Sequence, residues 1–173
     1  MELLERKKFI DAVERVLHVK GNYTGGILEM TLVIDCSLQK DYVQNKAADL
    51  ASVLRSHSEV FRNVRLNLLM WQDDQAFKNN VIPISFLQLA TCFQDYAGQD
   101  ARKSLDDLTA HLKLFHARSK LILVLMEGDP YIRNDREVFL NMQPFLGKKS
   151  LFLCKGKEAD GWLQGSRLVM KND

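Results

Sequence analysis

Cysteine and long apolar runs are scarce in this chain, and each scarcity excludes a class of protein. The three cysteines, Cys36, Cys92 and Cys154, are far apart, odd in number and outside any C-x-x-C pairing. That pattern argues against a disulfide framework and against a structural zinc site, and leaves reduced, partly buried thiols. No apolar stretch reaches the length of a membrane span. The opening residues, 1–20, are charged and lack an apolar core of signal-peptide length, so a cytoplasmic location is the expectation. Charge of one sign is missing too. With 24 Lys and Arg against 22 Asp and Glu interleaved from end to end, the linear sequence carries no electrostatic footprint for nucleic acid.

Several chemical signatures are likewise absent. There is no G-x-S-x-G elbow to present a serine nucleophile, and no G-x-G-x-x-G or P-loop pattern to cradle phosphates. His18, His57, His111 and His116 are scattered over helical segments, and the last two, five residues apart, do not share a helix face. They make no ligand pair.

What is present is the patterning of one α/β domain spanning residues 1–173. Leu3, Ile10, Val13 and Leu17 recur at helical spacing, which predicts an N-terminal amphipathic helix within residues 1–20 that packs on the body. A buried strand follows over 27–35, then a helix whose stripe is Val43, Ala47, Leu50, Ala51 and Leu54. Residues 64–71 read as a second strand and 76–82 as a short one pairing back on it, with Pro83 at its end or on a sheet edge. A buried helix is expected within 85–96. Another is expected from Ala101 to Phe115, capped by Asp100.

The run 121–126 is apolar throughout, which demands cover on both faces and hence a central parallel position. Asp129-Pro130 then offers an N-cap and first helical turn for a helix reaching Phe139 or Met142, and 150–154 and 166–170 read as further strands. The sum is a doubly wound, mostly parallel, Rossmann-like sheet of about six strands with helices on both faces. In such folds ligands gather at the carboxyl ends of the strands.

Those ends are where the acids fall. The strand Thr31-Leu32-Val33-Ile34 ends in Asp35-Cys36-Ser37, aiming a carboxylate and a hydroxyl at one point, and Leu121 to Met126 ends in Glu127-Gly128-Asp129. Oxygen donors so placed suit a hard divalent cation such as Mg2+ or Mn2+. Asp35 can equally cap the following helix or accept backbone N–H groups at the turn, and Ser37 is well placed as an N-cap. Glu127 ends a buried strand and requires a partner, whether a metal, an arginine or a helix N-terminus. Trp71 and Phe77 read as core residues.

These residues resemble the von Willebrand factor A family, whose first strand ends D-x-S-x-S and whose late strand ends T-D-G. The counterparts are Asp35-Cys36-Ser37-Leu38-Gln39 and Met126-Glu127-Gly128, with Leu68 to Asp73 and Val81-Ile82-Pro83-Ile84 resembling the family's second strand and antiparallel third strand. The resemblance implies a metal-ion-dependent adhesion site in degenerate form. Asp35 and Ser37 match it, Glu127 replaces its last Asp, Gln39 replaces its second Ser, and Gly98-Gln99-Asp100 stands where its Thr belongs, with Asp129 nearby.

Partner-protein recognition through loops at the carboxyl end of the sheet, with metal binding weak or lost, is what the resemblance implies. No membrane or nucleic-acid partner is expected. The alternative is a PIN-like nuclease or phosphohydrolase, in which Asp35, Asp73 or Asp74, Glu127 and Asp129 hold one or two Mg2+ or Mn2+ ions that activate water.

Overall fold

The computed structural model describes residues 2–18, 27–56, 63–73, 80–85, 93, 95–98, 102–128, 130–133, 137–145, 147, 149–155 and 169–172. In chain order the elements are α1 (Glu2–His18), β1 (Ile27–Asp35), α2 (Lys40–Ser56), β2 (Asn63–Trp71), β3 (Asn80–Ser85), α3 (Leu105–Phe115), β4 (Leu121–Glu127), α4 (Val138–Met142), β5 (Ser150–Lys155) and β6 (Val169–Asn172). The protein is α/β, built on a parallel core of β2, β1, β4 and β5. In the full sheet order β3-β2-β1-β4-β5-β6, β3 runs antiparallel to β2 at one edge and β6 parallel to β5 at the other.

Apolar alternation explains how the sheet is covered. Leu28, Met30, Leu32 and Ile34 of β1 join Leu121, Leu123 and Leu125 of β4 in a cluster with Phe9, Val13 and Leu17 of α1 and Val43, Leu50 and Leu54 of α2. Val33, Leu69, Trp71, Ile122 and Val124 point the other way and pack on Leu105, Leu108 and Leu112 of α3 and Val138 and Met142 of α4. Residues 121–126 of β4 are all buried, as a central strand requires. Each fully buried Leu or Ile side chain removed from water contributes about 2 kcal/mol. Among the described residues no helix is long and apolar enough to cross a membrane.

Local chemistry moves several boundaries. Strand β3 spans 80–85, not 76–82, and places Pro83 opposite Arg65. The missing N–H is tolerated there because an edge strand has one unpaired side. Helix α3 starts at Leu105 under Ser104, whose Oγ accepts the Asp107 N–H, so Ser104 rather than Asp100 is the cap.

The helix expected to open at Pro130 does not form there. Tyr131 instead makes a parallel bridge with Ser104, donating its N–H to Lys103 O at 3.0 Å and accepting from Leu105 N–H at 2.8 Å. Those tertiary hydrogen bonds hold Tyr131 in a strand-like bridge, and the next described helix is Val138–Met142. Of the helix expected within 85–96, most positions lie outside the described residues, as do Phe77, Cys92, Asp74, Asp100 and Asp129.

Candidate functional site at the carboxyl end of the sheet

Asp35 is the last residue of β1 and pairs in register with Trp71, the last of β2, so both strands end at the same level. Its side chain is fully buried. Ionised carboxylates are rarely left in such a place without partners, and this one is closely surrounded. Oδ1 accepts the Ser37 N–H at 2.9 Å and the Ser37 hydroxyl at 2.7 Å, closing a tight turn whose backbone bond runs from Leu38 N–H to Asp35 O. Oδ2 accepts the Glu127 N–H at 2.8 Å, which ties the end of β1 to the end of β4.

The fourth donor is Lys103. Its ammonium lies 2.9 Å from Asp35 Oδ2 and 2.7 Å from the carbonyl oxygen of Glu127, with 7% of its side chain exposed. It also sits 5.9 Å from the centre of the Trp71 ring. An ammonium is thus held between two oxygens at the ends of β1 and β4.

The surroundings fix that arrangement. Trp71 donates its indole N–H to Ser104 O at 2.8 Å, locking the residue after Lys103 onto the end of β2. Tyr96 donates its hydroxyl to Leu38 O at 2.7 Å, buttressing the turn after Asp35 from the other side. Burial, and then its neighbours Cys36 and Asp35, raise the Tyr96 phenol, which therefore stays protonated and able to donate. Gly98 packs against the same turn so closely that a Cβ there would lie 2.2 Å from Leu38 O.

Above this pair runs the strap Pro130–Arg133. Tyr131 donates its hydroxyl to Asp73 Oδ2, and Arg133 reaches Asp73 Oδ1 at 2.6 Å and Asp107 at 3.3 Å. The Arg133 N–H donates to Asp106 at 2.8 Å, and the Arg102 guanidinium stacks 4.2 Å from the centre of the Tyr131 ring. Ile132 stands 45% exposed between Tyr131 and Arg133. Arginine and tyrosine held rigidly beside an exposed aliphatic group are the residue types that anchor protein contacts.

The site residues read from sequence therefore separate. Asp35, Ser37 and Glu127 come together, but Glu127 joins the cluster through its backbone N–H and C=O. Gln39 has an exposed side chain, and its carbonyl accepts Val43 N–H at the start of α2. Ser37 turns its hydroxyl to Asp35 rather than capping α2. Asp73 belongs to the strap, bound by Tyr131 and Arg133. Asp100 and Asp129 lie outside the described residues.

Sequence reasoning passed over Lys103, Tyr131 and Arg133. The signal for Lys103 was its position: a basic residue directly before a helix N-terminus opposes the helix dipole and calls for a compensating acid.

Among the described residues no group of three His, Cys, Asp or Glu side chains is placed to hold a metal ion. A divalent cation at Asp35 Oδ2 would meet the Lys103 ammonium within bonding distance, so these residues as arranged do not fit one. Cys36 is buried beside Asp35, and desolvation, then that carboxylate, push its thiol up to about 12. A thiol so protonated is a poor nucleophile and a poor metal ligand. Comparison with protein-family models and with curated proteins finds no match to this chain.

Proposed function

We propose that this chain is a non-catalytic protein-binding module of von Willebrand factor A-like type, with a lysine ammonium in the position a divalent cation holds in the intact family. The observation that carries this reading is the seat of Lys103 Nζ between Asp35 Oδ2 and Glu127 O. A fixed positive charge there satisfies the buried carboxylate without metal. The edge-to-edge order β3-β2-β1-β4-β5-β6, with β3 antiparallel, supports the family likeness. Recognition falls to the loops around the strap, where Arg102, Tyr131 and Arg133 are held in place beside the exposed Ile132 before a partner arrives. Such preorganisation lowers the entropic cost of binding.

The hydrolytic alternative needs carboxylate oxygens free to take up metal. Asp35 and Asp73 are each bound by a cation from their own chain, Lys103 and Arg133.

The test combines metal titration with partner capture. The melting temperature of the native chain is expected to be the same in millimolar Mg2+, in Mn2+ and in EDTA. Proteins captured by the immobilised chain should be retained in EDTA and lost with Ile132→Asp. Metal-dependent stabilisation, or phosphodiester hydrolysis abolished by Asp35→Ala, would overturn the reading.

A further inference from the structure

At the opposite pole, where β2, β1, β4 and β5 begin, the charges among the described residues are mostly basic. Arg65 lies on β2, Arg118 and Lys120 precede β4, Lys149 precedes β5, and Lys113 stands in the last turn of α3. The acid among them is Glu29, and it is already shared: Arg118 Nε lies 2.8 Å and Arg65 Nη1 3.7 Å from its carboxylate, and Asn67 Nδ2 donates to it at 3.2 Å. Among the described residues Lys113, Lys120 and Lys149 pair with no carboxylate. The carboxyl end of α3 supplies about half a negative charge. It leaves most of this positive charge uncompensated.

We infer that this cationic pole is a second docking surface, which takes an extended acidic segment of a partner protein. It lies at the other end of the sheet from the Lys103–Asp35 pair, so the two surfaces can be occupied together.

Two of the bases are fixed rather than loose. Arg118 is held by Glu29 and lies 5.4 Å from the centre of the Phe115 ring, and Lys149 donates to the carbonyl of His116. Crowding is felt locally: burial and then Lys120 lower the Lys149 ammonium, and burial and then Lys149 lower the His116 imidazole. An anion placed between these groups relieves that repulsion.

The dimensions favour a peptide. Four neighbouring strands span about 15 Å, the length of about five residues of extended chain. Among the described residues the aromatic rings nearby are already engaged, Phe115 buried against His111 and His116 tilted on Phe145 at 5.3 Å, so neither is a free platform for stacking a nucleic-acid base.

Fluorescence anisotropy with a labelled hexaglutamate peptide tests this directly, with hexalysine and a thymidine hexanucleotide as comparisons. The native chain is expected to bind hexaglutamate at low ionic strength and not hexalysine. Lys120→Glu combined with Lys113→Glu, two exposed positions, should weaken hexaglutamate at least tenfold while circular dichroism stays native. Lys149→Met should weaken it less. Absence of hexaglutamate binding, binding indifferent to Lys113 and Lys120, or tighter binding of the hexanucleotide through the same residues would each overturn the inference.

Discussion

Lys103 and Asp35 form a buried ion pair, 2.9 Å apart, at the point where β1 and β4 end. The ammonium reaches Asp35 from a short segment that is itself clamped on both sides, by Trp71 through Ser104 O and by Tyr131 through Lys103 O.

Breaking this pair from one side leaves a charge buried alone. Lys103→Met keeps much of the side-chain volume and is expected to cost about 3–5 kcal/mol of unfolding free energy in urea titration. The double variant Lys103→Met/Asp35→Asn should recover part of that loss, because the carboxylate that needed compensation is gone. A single variant as stable as the parent would show that the pair is not an isolated buried charge couple.

His111 is fully buried in α3 against Phe115, and desolvation lowers its imidazole to about 4. Its folded value lies below the unfolded one near 6.5, so the unfolded chain binds the proton more tightly. Stability is then full above about pH 6.5, falls as the pH drops towards about 4 and levels below that, by roughly 3 kcal/mol in all. His111→Phe should flatten this part of the pH–stability curve, measured by thermal unfolding between pH 4 and 7.

Gly98 is required by contact rather than by backbone angle. Since a Cβ there would lie 2.2 Å from the Leu38 carbonyl oxygen, Gly98→Ala must push apart the turn that holds Asp35. The expected loss is about 1–3 kcal/mol. Gly128 is the opposite case, with open space around it but φ at +72°. Gly128→Ala should cost about 1 kcal/mol through strain alone.

Cys36 offers a chemical readout of the same region. With its thiol pushed up to about 12, it should resist iodoacetamide at pH 8 in the folded protein and react readily in denaturant. In Lys103→Met the folded-state labelling rate at Cys36 should rise, by mass spectrometry of the modified peptide, as the turn beneath it loosens.

The centre of the sheet was legible in the sequence because burial on both faces leaves an unmistakable pattern. Residues 121–126 admit little but a covered parallel strand, and the Asp-x-Ser turn marks the end of β1. The edges and caps were less legible. Ser104 and Asp100 are both good N-cap residues, and what separates them is the pairing of Ser104 with Tyr131, a contact between distant segments. Pro130 starts helices readily, yet the residue after it is drawn into the same pairing. Lys103 was illegible for a related reason: an acid at a strand end points to an oxygen-bound metal, although an ammonium meets the same carboxylate.

The Glu127 N–H that caps the Asp35 carboxylate comes from 92 residues further along the chain. As the polypeptide leaves the ribosome, β1 and its acid are made early, and the last of their partners much later. Until β4 is synthesised and docked, Asp35 is better left in water, so β1 has reason to delay its final burial. Closure of this knot should therefore come late in folding, and its loss should accelerate unfolding far more than it slows refolding.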